Sequence, residues 1–362
     1  MAGLAGCGGD GGDDGPPKVL IDSDYNTMSD DGQLGTMAAQ LMAQGTIDVL
    51  GITVLSGNQW LMQGVADALK SVERMGVDAR VGVYAGANTP LSHDYATVQA
   101  ELAQYPSGDG YLGAWSTPEP HSQADLAAPP DGFATRAQVQ ATGAVDFIVD
   151  SIRKWPHEVT ILAIGPLTNL ALAFRQAPDI VPLVKRIIYM GGAIDVPGNT
   201  TATAEFNMWF DPQAAREVLR QPIAQVLVPL DVTDTVILTQ PIYDRIAHDP
   251  ARQTVVTQIF RQLNGYGFSG TDGFENDPNY TQDIWDTLTI AYLVDPTLAT
   301  QTTTRYVDVV TDFGPDDGRT VGTVDNPGGL QPITIVQRFD NARFFDLYVD
   351  LLTRPVPVRL PG

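Results

Sequence analysis

The sequence predicts an α/β fold: a single open, mostly parallel, Rossmann-like sheet with helices on both faces. Three observations predict it. From Lys18 onward, short apolar runs alternate with stretches of helical periodicity. The first two of those runs read as short buried strands. The chain has 362 residues, 43% of them hydrophobic, enough to bury one large core. Length alone would allow two domains, but single α/β domains often exceed about 250 residues. The expected division is residues 1–17 as a flexible tether, 18–354 as one folded domain and 355–362 as a tail. No internal repeat is visible.

The elements follow in order. Residues 19–22 read as a short buried strand. A helix is expected over 30–44, with aspartates in its first turn, Leu34, Met37, Ala38, Leu41 and Met42 at helical spacing, and Gly45 after it. Residues 49–55 form a second buried strand, 60–75 a helix and 81–84 a third strand. Residues 93–136, rich in Pro, Gly, Ala and Ser, read as a long loop, and a loop of that length in a compact domain is often functional. Alternation resumes with helix 143–154, strand 159–164, helix 167–174, strand 186–190, helix 212–220 and strand 225–229. Two helical stretches lie within 240–263, an aromatic- and glycine-rich segment at 264–283, and a helix at 286–294. Strands near 305–310, 320–324 and 333–337 precede a closing helix at 342–352. In such a sheet, ligands sit outside the carboxyl ends of the strands. The loops after Ile21, Leu55, Ile164 and Met190 are therefore expected to face one cleft.

Composition removes several function classes. With 21 Lys and Arg against 43 Asp and Glu, the net charge is −22. That argues against nucleic acid, whose phosphates need a basic face, and against an anionic membrane surface. No apolar run reaches the roughly 18–20 residues of a membrane-spanning helix. The one cysteine, Cys7, cannot form an internal disulfide. The four histidines (His93, His121, His157, His248) show no metal-ligand spacing, which argues against zinc chemistry. There is no Gly-x-Ser-x-Gly nucleophile elbow.

The amino terminus carries its own signal. Leu4-Ala5-Gly6-Cys7 is similar to the bacterial lipobox, and the following Gly-, Asp- and Pro-rich stretch reads as a tether. This predicts an exported lipoprotein anchored through Cys7. Only six residues precede Cys7, fewer than a signal peptide needs, so that reading places the true start upstream. The alternative is a disordered cytoplasmic N-terminus.

The loop after the first strand carries the chemistry. Asp22, Asp24, Asp30 and Asp31 place four carboxylates in ten residues. Their repulsion is costly unless a cation or hydrogen bonds compensate it. Helix capping accounts for one aspartate and not for four. The set suits a hard divalent cation, calcium ahead of magnesium, because calcium accepts ligands from distant loops in a flexible shell.

Further motifs follow Asp24…Asn26…Asp30-Asp31 along the chain: the 51–58 run ending in Asn58, and Gly165-Pro-Leu-Thr-Asn169. Then come Tyr189-Met190-Gly191-Gly192, Asn199, Glu205-Phe206-Asn207 and Asp211-Pro212, and finally Trp285-Asp286 and Asp295-Pro296. In these motifs, taken in this order, the chain resembles the inosine–uridine-preferring nucleoside hydrolase family from about Lys18 to Thr353. The resemblance implies a calcium-dependent hydrolase of the N-glycosidic bond of ribonucleosides. In this reading Asp24 is both calcium ligand and general base, Asp31 and Asp286 are further ligands, and Ile164 contributes its carbonyl. Asp30, Asn58, Glu205 and Asn207 would hold the ribose hydroxyls, and Met190 and Asn199 would line the sugar pocket. Asp22 is expected to organise the loop. The resemblance also implies homodimers or homotetramers.

One position departs from the pattern. Where well-studied members carry a histidine that protonates the leaving base, this chain has Trp285. Tryptophan can stack on a base but is a poor proton donor. Leaving-group contacts are therefore expected from segment 264–283, with Tyr266, Phe268, Phe274 and Tyr280 as an aromatic lid over the base and a tyrosine as the acid; the alternative is a loop packed by its own aromatics. Asp109 and Tyr111 of the 93–136 loop are also candidates to close the cleft. Two other functions stay open: a lipid-anchored, calcium-containing nucleoside-binding protein without turnover, and a hydrolase of another N-riboside. An Asp-x-Asp phosphatase is disfavoured because Asn26 stands where Thr or Val is expected.

Overall fold

A computed structural model describes residues 15–105, 110–267 and 270–361. Cys7, Asp109 and Phe268 lie outside them. The first half of the chain runs β1 (Lys18–Ser23), α1 (Asp30–Ala43), β2 (Asp48–Val54), α2 (Leu61–Met75), β3 (Gly82–Ala85), α3 (Tyr95–Gln104), α4 (Ala144–Lys154), β4 (Val159–Ala163) and α5 (Thr168–Gln176). Next come β5 (Arg186–Met190), α6 (Phe206–Phe210), α7 (Pro212–Leu219), β6 (Gln225–Val228), α8 (Leu230–Thr233), β7 (Ile237–Leu238), α9 (Gln240–Ala247) and α10 (Val255–Tyr266). The chain closes with β8 (Gln282–Asp283), α11 (Thr287–Val294), β9 (Ala299–Val309), β10 (Thr320–Thr323), β11 (Pro332–Phe339) and α12 (Asn341–Thr353).

Nine strands form one sheet in the order β3-β2-β1-β4-β5-β6-β11-β9-β10. Every pairing from β3 to β11 is parallel. Only β9 runs antiparallel, to β11 and β10. The first six positions follow the doubly wound order 3-2-1-4-5-6, whose crossover reverses between β1 and β4. The crevice above those two strands is where such a fold takes its ligand. Strand β4, Val-Thr-Ile-Leu-Ala, is buried at every position, which explains why its run is continuous rather than alternating.

Helices cover both faces. One core packs α1, α2 and α9–α12 on the sheet; the other packs α4, α5 and α7. Helix α4 shows how the sequence specifies this. Ile148, Val149 and Ile152 form its buried stripe, with Asp146 in the first turn and Arg153 and Lys154 in the last, each complementing the helix dipole. Each fully buried Ile contributes about 1.5–3 kcal/mol by leaving water. Helix α7 starts with Pro212 after Asp211, whose side chain accepts the Ala214 N–H at 3.0 Å.

The 93–136 stretch differs from the expected loop. It contains α3, capped by Asp94, which accepts the Thr97 N–H at 2.7 Å. Only Val98 and Glu101 of α3 are buried, so its sequence lacks an apolar stripe. The stretch packs instead through a small aromatic cluster of Trp60, Val98, Trp115, Phe206, Trp209 and Phe210. Strand β9 also begins six residues before the expected 305, through the Thr302–Thr304 run. Those β-branched residues favour a strand, but the half-exposed, polar run gives no apolar signal. Among the described residues no helix is long and apolar enough to cross a membrane.

Candidate active site

The loop between β1 and α1 sits above the β1/β4 crossover and bends sharply. Met28 adopts φ +48°, a conformation non-glycine residues rarely hold, and Gln33 Nε2 fastens its carbonyl at 3.1 Å. Asp22, at the strand end, is fully buried and accepts from Thr53 Oγ1 at 2.5 Å and Asn169 Nδ2 at 2.8 Å. Burial pushes its carboxyl up to about 6.

Asp24 is wholly buried. Its Oδ2 accepts the Asn58 N–H at 2.6 Å, while Oδ1 has no protein partner. Burial first, then the charge of Asp31, holds its carboxyl well above the usual range. Two glycines make room for it. A Cβ at Gly57 would overlap the Asp24 carboxylate, and one at Gly165 would lie 2.7 Å from Oδ1.

Asp31 accepts from Ser23 Oγ at 2.7 Å, Asn58 Nδ2 at 3.0 Å and Ser29 Oγ at 3.2 Å. Burial and neighbouring Asp30 raise it to about 7. Asp30 Oδ2 accepts the Asp286 N–H at 3.3 Å, and burial raises it to about 6. Asp286, at the start of α11, is pushed far up by burial and then by Asp30, Asp31, Asp24 and Glu205. Carboxylate oxygens of Asp30, Asp31 and Asp286 lie within 4.8 Å of one another. Asp24 is outside this close-set trio but within reach of its charges.

The opposite wall comes from the loops after β4 and β5. Glu205 caps α6, accepting the N–H groups of Asn207 (2.8 Å), Met208 (3.2 Å) and Gly192 (2.8 Å), and burial raises it to about 7. Asn207 Nδ2 donates to the carbonyls of Met190 at 3.2 Å and Ile164 at 3.4 Å. Asn199 Oδ1 accepts the Phe206 N–H at 2.9 Å. The cleft between the walls encloses about 330 Å³, within the roughly 300–1,000 Å³ of small-molecule sites.

Asp30, Asn58, Ile164, Met190, Asn199, Glu205, Asn207, Trp285 and Asp286 all line this cleft. Trp285 donates its indole N–H to Asp234 Oδ1 at 2.9 Å, which fixes the ring. Neither Tyr266 nor Tyr280 is in the lining. Tyr266 is 40% exposed at the end of α10, and Tyr280 packs edge-on against Phe274, which stacks on Tyr243. From the same segment Gln282 and Asp283 reach the cleft instead, carried there by the pairing of β8 with β7. Tyr111 also lines it, donating to the Asn58 carbonyl at 3.2 Å and packing on Phe206. Sequence reasoning missed Asn26, Ser29, Phe206, Gln282 and Asp283 as lining groups. Phe206 stands between two residues it did single out, and Asp283 only three positions before Asp286.

Among the described residues lining the cleft there is no Lys, Arg or His. Buried carboxylates without a cationic side chain, one oxygen of Asp24 lacking any partner, fit a divalent metal ion.

The profile of the inosine-uridine preferring nucleoside hydrolases matches residues 19–346. The chain belongs to that family. It is an enzyme, a hydrolase of ribonucleosides. It is 32% identical over 306 residues to the pyrimidine-specific ribonucleoside hydrolase RihB of Escherichia coli (strain K12 / DH10B), covering 84% of this chain and 86% of that one. Two solved structures share the fold. A plant nucleoside hydrolase, PpNRh1, superposes with a TM-score of 0.73 at 23% identity, covering 94% of this chain and all of that one. The purine-preferring ribonucleoside hydrolase from Gardnerella vaginalis gives 0.70 at 24%, covering 93% and 98%.

The acids give the hydrolase a defined pH response. Asp22 and Asp30 (about 6) and Asp31 and Glu205 (about 7) are raised above their unfolded values. The folded state thus binds protons more tightly, and its stability falls as pH rises from about 4 through about 7. In chelator, Tm is expected to be lower at pH 7.5 than at pH 5. A saturating divalent cation, which prefers the ionised acids, should shrink that difference. A chelated enzyme more stable at pH 7.5 contradicts this electrostatic picture.

Proposed function

We propose that the chain cleaves the N-glycosidic bond of ribonucleosides to free base and ribose, with Asp24 taking a proton from the attacking water. The observation that carries this reading is the buried Asp24 with an uncommitted oxygen, beside the Asp30–Asp31–Asp286 trio. A carboxylate raised by burial is a stronger base than one in water. Asp24, Asp31, Asp286 and the Ile164 carbonyl would hold the cation, and calcium suits this all-oxygen set drawn from separate loops. When bound, the cation offsets the charge of the acids and polarises a water molecule.

The remaining steps belong to the protein. Vicinal ribose hydroxyls suit paired acceptors, which Asp30, Asn58, Glu205 and Asn207 supply from two walls. Asn207 spends its NH₂ on Met190 and Ile164, leaving its carbonyl oxygen for a hydroxyl. Asn199 and Met190 border the sugar. Gripping the ribose in this way orients C1′ towards the water. The acidic surroundings favour the positive charge that grows on the sugar as the bond to the base lengthens. Trp285, its ring fixed by Asp234, offers a face for the base to stack on.

A reducing-sugar assay over a panel of purine and pyrimidine ribonucleosides tests the reading. Ribose release is expected with at least one of them, to vanish in chelator, and to return with Ca²⁺ more fully than with Mg²⁺. Saturable nucleoside binding with no ribose released under any cation would favour the nucleoside-binding alternative instead.

A further inference from the structure

A second cluster of ligating side chains lies away from the cleft. His93 precedes α3, Glu101 sits in α3, and Asp317 lies in the turn between β9 and β10. All three are buried, with 7%, 5% and 5% of their surface exposed, and none lines the cleft. A ligand atom from each lies within 4.8 Å of those from the other two. His93 Nε2 is 2.7 Å from Asp317 Oδ2, and Glu101 Oε1 accepts the Gly314 N–H at 2.7 Å. A further observation points to a missing partner: Asp317 Oδ1, beside the oxygen that meets His93 Nε2, is buried and unpartnered. No ion pair with Lys or Arg reaches Glu101 or Asp317 among the described residues.

We propose that His93, Glu101 and Asp317 form a second divalent-cation site, of the zinc class, stapling α3 to the β9–β10 turn. The charge balance asks for it. With both carboxyls ionised the trio carries an excess of at least one negative charge even when the imidazole is protonated, and burial, with Asp317 beside it, lifts the Glu101 carboxyl; a bound cation offsets that charge. The donor set chooses the metal. Calcium and magnesium take oxygen ligands, whereas one imidazole with two carboxylates suits zinc and its first-row neighbours. Ligand atoms held tetrahedrally at roughly 2.0–2.2 Å by one ion stand about 3.3–3.6 Å apart, so on binding zinc the trio, now within 4.8 Å, draws together while His93 Nε2 and Asp317 Oδ2 part from their 2.7 Å contact. Water completes the shell.

The staple has a local consequence. The chain beyond α3 brings the Ala114 N–H to the Gly57 carbonyl at 2.8 Å and the Tyr111 hydroxyl to the Asn58 carbonyl. Fixing α3 therefore steadies one wall of the cleft.

The test counts metal in the full chain. The metal-stripped protein, and an Asp31→Asn/Asp286→Asn variant with a weakened cleft site, are titrated calorimetrically with ZnCl₂ alone. His93→Gln is expected to lower the zinc stoichiometry by one equivalent in both backgrounds, with an unchanged circular dichroism spectrum. An unchanged stoichiometry in folded His93→Gln overturns the proposal and leaves a simple His93–Asp317 ion pair. Should His93→Gln not fold, Glu101→Gln is read in the same titration with the same two outcomes.

Discussion

Replacing Asp24 by Asn is expected to lower kcat by about 10²–10⁴-fold, the usual worth of a positioned base, with KM changed far less. Asparagine keeps the shape of the side chain, and its carbonyl can still accept the Asn58 N–H that Asp24 accepts at 2.6 Å. What disappears is the charge and the proton-accepting oxygen, which has no partner in the protein. A thousandfold loss corresponds to about 4 kcal/mol in the barrier. Thermal stability in chelator should not fall, since a neutral amide escapes the burial cost that lifts the Asp24 carboxyl. Steady-state kinetics and a melting curve on the same preparation separate the two effects. A variant retaining wild-type kcat removes Asp24 from the chemistry.

The second large effect is predicted at Asp286. Asp286→Asn should cost at least about 100-fold in kcat/KM at limiting cation, since loss of even a supporting group costs 10–100-fold in metal affinity. Raising the cation concentration should recover part of the loss. The apo protein should gain stability, because Asp286 faces Asp30, Asp31, Asp24 and Glu205 with no cationic side chain between them. A Tm higher than wild type by roughly 2 °C or more in chelator, together with the activity loss, would mark a residue kept for function at the expense of stability. Parallel falls in Tm and activity would mean that Asp286 is structural.

Much of this was legible in the sequence because the signals were local. The short apolar runs at β1 and β2 revealed buried strands, and the alternation of strands with helices implied a parallel sheet with its loops on one side. Four aspartates within a ten-residue turn could not be explained by capping alone. Other features depend on distance in space. Helix α3 is amphipathic only through Val98 and Glu101, so nothing in its periodicity announced it. Asp30, rather than Asp24, shares with Asp31 and Asp286 the set of carboxylate oxygens within 4.8 Å of one another. His93 meets Asp317 across 224 positions, a juxtaposition no spacing rule can detect. Tyr111 enters the cleft through packing on Phe206, which depends on tertiary structure alone.

The hydrogen bond from the Asp286 N–H to Asp30 spans 256 positions. During synthesis at roughly 5–20 residues per second, the amino-terminal acids leave the ribosome some 10–50 s before their partner exists. Throughout that interval Asp30 and Asp31 lack the third acid of their close-set trio. If the proposed function holds, a chain ending before Asp286 is therefore expected to release no ribose.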